Sequence, residues 1–149
     1  MKIKIFLILI IPLLSSCGGN YISLSSKIDN TNNESINHDY SEIKQYKIEW
    51  NDIFIQAKTN YFVYFYSLTC SHCISLKNKI IEYALLNKNV YFCSNSEEVK
   101  ITKNIENTIG KNDIKSFAIL GFPSLVKVEK SYCVLNIAGE DEISKCLIF

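Results

Sequence analysis

The 149-residue chain has no arginine: its sixteen basic residues are all lysines, set against fifteen acidic ones. Bidentate recognition of phosphate or carboxylate by a guanidinium is therefore unavailable to it. The net charge of +1 leaves no basic stripe to neutralise phosphates, so nucleic acid is not an expected partner. Histidine occurs only as His38 and His72, and the single close cysteine pair is Cys70 and Cys73. A zinc site would need a second such couple, so no metal is expected. Prolines are also scarce, at positions 12 and 123 only. No internal repeat is visible, and no apolar run is long enough to span a bilayer stably.

What the chain does have is enough apolar content, 48%, to build one core. At its start, Lys2 and Lys4 precede an apolar run from Ile5 to Leu14, the layout of a secretory leader. The run ends in Leu14-Ser15-Ser16-Cys17-Gly18, which resembles the lipobox of bacterial lipoproteins. That resemblance implies cleavage after residue 16 and acylation of Cys17. Two or three acyl chains, at roughly 0.8 kcal/mol per buried methylene, hold a protein on a membrane where one does not. The following Ser-, Asn- and Gly-rich stretch reads as a flexible tether, residues 17–40, with His38 solvated in it. The folded domain is expected over 41–149.

Within that domain, Tyr46 to Glu49 predicts a short strand, and Trp50 to Lys58 carries apolar residues at a helical spacing. Tyr61 to Tyr66 is an unbroken aromatic and β-branched run, the pattern of a strand covered on both faces. From Cys70 to Leu86, Leu76, Ile80 and Ala84 form one helical row, with Lys77, Asn78, Lys79 and Glu82 toward water. Val90 to Cys93 predicts a strand. The polar stretch from Ser94 to Lys115 is expected to hold a helix or two. Leu125–Val128 and Cys133–Ile137 predict two strands joined by a turn, and Gly139 opens a final short helix. The sum is an α/β fold with a mixed central sheet of four to five strands and helices on both faces.

Chemistry points to Cys70-Ser71-His72-Cys73, placed where a strand hands over to a helix. A thiol at a helix N-terminus meets unpaired backbone N–H groups and the positive end of the helix dipole, both of which favour thiolate. Cys73, one turn on, lies within reach of a mixed disulfide formed on Cys70. Cys70 is thus the expected attacking sulfur and Cys73 the resolving one. His72 stands beside Cys73, where an imidazole favours thiolate by charge or hydrogen bond. A structural disulfide and a zinc half-site remain as other readings of the pair. Cys93, Cys133 and Cys146 read as small hydrophobes of the core, with a Cys133–Cys146 bridge as a lesser option.

From Tyr46 to Leu147 the chain resembles the thioredoxin superfamily, on two stretches. One is Tyr61-Phe-Val-Tyr-Phe-Tyr-Ser-Leu-Thr-Cys-Ser-His-Cys73; the other is Leu120-Gly-Phe-Pro-Ser-Leu125. The resemblance implies a thioredoxin-like sheet and a cis peptide bond before Pro123. It also implies a loop in which Phe122 and Pro123 lie beside the cysteines and bind an extended substrate segment. Gly139 matches a common glycine position of the family. The chain departs from the family's pattern in three places. Thr69 stands where a tryptophan often precedes the first cysteine, Ser-His replaces Gly-Pro, and Tyr64 replaces the buried acid that serves as internal proton acceptor.

The expected activity is thiol–disulfide exchange on exported proteins at the outer face of the cytoplasmic membrane. It needs no dissociable cofactor, only a redox partner that resets the pair. The reading from a different class is a non-catalytic accessory lipoprotein for peptide secretion or transport, in which the cysteine pair is structural.

Overall fold

The computed structural model describes residues 36–147. The leader, Cys17 and the tether up to residue 35 lie outside them.

The order of elements follows from the run of apolar residues. Strand β1, Asn60–Tyr66, is buried from Tyr61 onward on both faces, as its unbroken aromatic run requires. Helix α1, Ser71–Asn87, buries Cys73, Leu76, Ile80, Ile81 and Ala84 along one stripe and ends on Lys88 in the left-handed conformation. Strand β2, Val90–Ser94, returns parallel to β1, and a parallel pair needs a crossover of this kind. Strands β3, Ser124–Glu129, and β4, Tyr132–Ala138, form an antiparallel hairpin. Its two loop residues, Lys130 and Ser131, both have positive φ, the geometry that suits a two-residue hairpin turn. Helix α2, Glu140–Cys146, closes the described chain.

The sheet runs β2-β1-β3-β4, with β1 antiparallel to β3. It is a mixed four-stranded sheet in an α/β arrangement, within the four to five strands expected. Alternation along β1 divides the core. Phe62, Tyr64 and Tyr66 join the apolar stripe of α1 and Ile143 of α2 on one face. Tyr61, Val63 and Phe65 pack with Trp50, Ile53, Phe54, Phe117 and Ile119 on the other. Both α-helices thus cover the first face. The second is covered by a 3₁₀ turn, Trp50–Asp52, and by irregular chain.

Three local expectations come out differently. The strand expected at 46–49 is a single bridge from Lys47 to Phe92, squeezed between two 3₁₀ segments, Tyr40–Tyr46 and Trp50–Asp52. The helix expected at 50–58 stops after one turn. The Tyr61 hydroxyl donates to the Ile53 carbonyl at 2.7 Å, occupying an acceptor that a longer helix would use internally. Between Ser94 and Lys115 only one turn of 3₁₀ helix forms, Ile105–Asn107. There Asn104 and Asp113 accept from backbone N–H groups two residues on, the local bonding that competes with a helix. This stretch nevertheless has a role. Gly110 and Lys111 exchange backbone hydrogen bonds with Cys133 at 2.7 Å, covering the outer edge of β4.

His38 is not solvated. Its backbone N–H donates to Asn78 Oδ1 at 3.0 Å, and its ring pairs with Glu42. Asp39 and Glu42 form a capping box at the first 3₁₀ segment, a D-x-x-E signature legible in the sequence. Docking of residues 37 and 38 on α1 leaves Lys77 and Asn78 half-buried instead of fully in water.

Candidate active site

Cys70 caps the N-terminus of α1. Its backbone is extended (φ −85°, ψ 118°), and its sulfur accepts the Cys73 N–H at 3.3 Å. That amide is one of the orphan donors of a helix start, and it favours a sulfur carrying negative charge. As a thiol, Cys70 instead donates to the Phe122 carbonyl at 3.6 Å. The two protonation states of Cys70 thus have different partners, supplied by different parts of the chain.

Phe122 comes from the loop before β3, where the Phe122–Pro123 bond is cis, as the resemblance implied. The Pro123 carbonyl accepts from the Gly139 N–H at 3.0 Å, and Gly139 has a φ of +95° that a side chain would resist. The loop is therefore tied to the start of α2. The loop and α2 thus reach the start of α1 from 52 and 68 residues away in sequence, through the Cys70–Phe122 and His72–Glu140 contacts.

Cys73 is a different kind of thiol. It is 1% exposed, on the buried stripe of α1, whereas Cys70 is half-buried. Burial, and next the hydrogen bond with Cys70, push the Cys73 thiol up to about 12. The pair is free in this structure, and so are Cys93 and Cys133, which leaves no Cys133–Cys146 bridge. Cys93 and Cys133 lie in the opposite core and are pushed up to about 12 by burial. They fit the role of small hydrophobes assigned from the sequence.

His72 pairs with a group from a distant element. Its ring, 67% exposed, lies 3.1 Å by Nδ1 from Glu140 Oε2 at the start of α2. The same carboxylate accepts from the Ser75 hydroxyl, and these two contacts hold its pKa below the usual range, Ser75 contributing more. An open depression of about 350 Å³ beside His72 is lined by Ala138, Gly139, Glu140, Asp141 and Glu142. The sequence placed His72 next to Cys73 but gave no sign of Glu140, because only folding brings α2 to the start of α1.

Two tyrosines share the core cluster of the cysteines: Tyr64, from the aromatic run the sequence assigned to the core, and Tyr40, which it placed in the tether. Tyr64 is fully buried, and Tyr40, from the first 3₁₀ segment, packs against the same cluster. Tyr40 stacks on Tyr66 with centroids 4.2 Å apart. Burial raises the pKa of both Tyr40 and Tyr64, and for each the thiols of Cys70 and Cys73 raise it further. Among the described residues, no group of three or more His, Cys, Asp or Glu side chains is arranged to hold a metal ion.

No protein-family model and no curated protein matches the sequence. Among solved structures, the chain is similar to thioredoxin f from spinach chloroplast at 14% identity. That match covers 68% of this chain and 81% of that one, with a TM-score of 0.46. It is similar to mitochondrial thioredoxin 3 from Saccharomyces cerevisiae at 11% identity, covering 68% and 91%, with a TM-score of 0.43. Thioredoxin f2 from Chlamydomonas reinhardtii matches at 14% identity over 66% of this chain and 89% of that one, with a TM-score of 0.41.

Proposed function

We propose that this chain is a thiol–disulfide oxidoreductase that exchanges disulfides with exported proteins through Cys70 and Cys73. The observation that carries the reading is the asymmetry of the pair: a half-buried sulfur at a helix N-terminus and a buried one a turn behind it. In the reducing direction, the Cys70 thiolate attacks a substrate disulfide R–S–S–R′. A Cys70–S–S–R bond forms, and R′–S⁻ leaves with the electron pair of the broken bond. Cys73 then attacks the Cys70 sulfur, forming the Cys70–Cys73 disulfide and releasing R–S⁻, which takes up the proton Cys73 gives up. The same steps in reverse oxidise a substrate dithiol. A separate redox partner returns the pair to its starting state.

The cis loop gives a substrate somewhere to lie. An extended segment alongside Phe122 and Pro123 would present its sulfur to Cys70, the only partly exposed sulfur of the pair. The chain is held at the outer face of the cytoplasmic membrane by acylated Cys17, a reading supported by the order of leader, small residues and cysteine in the sequence. Mass spectrometry of membrane fractions is expected to find a lipid on the mature N-terminus. A soluble, unmodified form in wild-type cells would remove the anchor from the proposal.

The test of the activity is the equilibrium of the purified protein with glutathione redox buffers. A single two-electron transition belonging to Cys70 and Cys73 is expected, and it disappears in Cys70→Ser. A pair that stays in one redox state across all buffers would point instead to a structural disulfide or an inert dithiol.

A further inference from the structure

A ring of contacts closes around Cys70, and one residue forms its far side. The Cys70 thiol donates to the Phe122 carbonyl at 3.6 Å, and the Pro123 carbonyl accepts from the Gly139 N–H at 3.0 Å. Glu140, the next residue, returns to the start of α1. There its carboxylate uses both oxygens: Oε2 lies 3.1 Å from His72 Nδ1, and Oε1 accepts from the Ser75 hydroxyl. Residues three apart lie on one face of a helix, so a single carboxylate can span them. An exposed pair of this kind contributes little to stability. What it fixes is the position of the start of α2, and through Gly139 the position of the cis loop.

We propose that Glu140 is a positioning residue for the substrate: by gripping α1 it holds the Phe122–Pro123 loop where an extended segment can bind beside Cys70. This inference rests on the dithiol exchange proposed above. It adds a residue that governs binding of the substrate chain and leaves the chemistry of the sulfurs alone.

The need for such a grip arises at the moment of reaction. Attack requires the Cys70 thiolate, which has no proton to donate to the Phe122 carbonyl. The direct tie between loop and sulfur is therefore lost just when the substrate must be held. Pairing of Ser124 with Phe65 fixes where the loop enters the sheet, and the Ser124 hydroxyl shapes its turn by donating to the Gly121 carbonyl at 2.7 Å. Neither contact reaches α1. The path through Glu140 remains, and it is short, because Gly139 alone separates β4 from α2. Farther along α2, Lys79 Nζ donates to the Ser144 carbonyl at 3.0 Å and Ile143 is buried. Those contacts hold the body of the helix, a turn beyond the loop. A helix of seven residues has little rigidity of its own, so its start is located by what its first residue grips.

The test compares two disulfides that release the same thionitrobenzoate from the reduced full-length protein in detergent. One is dithionitrobenzoate, which is small and needs no loop. The other is an extended peptide whose cysteine carries thionitrobenzoate as a mixed disulfide. In both, the Cys70 thiolate bonds to one sulfur, and thionitrobenzoate leaves with the electron pair of the broken bond. In Glu140→Ala the half-saturating peptide concentration is expected to rise roughly tenfold with the maximal rate unchanged. The rate with anionic dithionitrobenzoate should not fall, since only a negative charge has been removed. Glu140→Gln, whose amide oxygen still accepts from Ser75, should recover most of the peptide binding. Lys79→Met cuts the other tie between α2 and α1 and is expected to leave half-saturation alone. Unchanged half-saturation in Glu140→Ala overturns the proposal. So does equal slowing with both disulfides, which marks disturbed cysteines, or an equal rise in Lys79→Met, which marks general loosening of α2. A peptide reaction that does not saturate in wild type overturns it as well, because the loop then binds nothing. If Cys70→Ser releases thionitrobenzoate as wild type does, it is the dithiol reading that fails.

Discussion

The two faces of the sheet bury the same residue type to different ends. On the helix-covered face Cys73 is 1% exposed; on the other, Cys93 is 1% and Cys133 is 0% exposed. All three thiols are pushed up to about 12, with burial the largest cause in each. Acidity therefore does not separate them. What does is the company: the Cys73 N–H donates to the Cys70 sulfur at 3.3 Å. Cys93 and Cys133 donate weakly to the carbonyls of Ser94 and Leu135 on their own strands. Burial makes a thiol quiet, and a second thiol at a helix start makes a quiet thiol a resolving one.

The strongest test of that contrast exchanges one cysteine at a time. Cys73→Ser is expected to abolish turnover and to trap substrates as mixed disulfides on Cys70, visible as adducts on non-reducing gels. Cys93→Ser and Cys133→Ser are expected to keep turnover and lose only stability. If Cys70→Ser accumulates adducts through Cys73, the roles within the pair are reversed.

Next in size is the stability carried by the second face. Phe65 is fully buried against Trp50, with ring centroids 5.9 Å apart. Phe65→Ala is expected to cost about 3–5 kcal/mol in urea unfolding. The folded fraction should still exchange disulfides, because the site lies across the sheet.

A smaller effect appears with pH. For each of the three buried thiols the folded value, about 12, lies above the ordinary 9.0. The unfolded chain gives up these protons first as the pH rises. Their contribution to stability is therefore fully present below about pH 9 and is lost progressively toward about pH 12. The urea midpoint of the reduced protein is expected to fall across that window. In the disulfide form Cys73 has no proton to lose, so its fall should be shallower. Equal slopes would remove Cys73 from the set.

The smallest expected effect concerns His72. Glu140 holds the imidazole 3.1 Å away by Nδ1 and adds a negative charge near the helix start. Glu140→Gln removes that charge, which favours the Cys70 thiolate and hence the reduced state. A small rise in reduction potential is expected, and a fall would mean that the carboxylate acts in some other way.

The sequence by itself determined the elements around the motif, because each is specified locally. The unbroken run of Tyr61 to Tyr66, the stripe of Cys73, Leu76, Ile80 and Ala84, and the two strands flanking Lys130 and Ser131 all formed where expected. The place of Cys70 at a helix start and the cis bond before Pro123 were also legible, the first from position and the second from family resemblance. The short helices were not. The period at Trp50 to Phe54 says which residues are buried, but a contact from Tyr61 decides how long the turn runs. The stretch from Ser94 to Lys115 has no apolar period, so its conformation is set by Asn and Asp side chains and by the edge of β4. Only the tertiary structure turned His72 toward Glu140, packed Tyr40 into the cluster that holds the cysteines and brought the Phe122 carbonyl to the Cys70 sulfur. Each of these pairs residues from elements distant in sequence, and no local pattern encodes which distant group a side chain will meet.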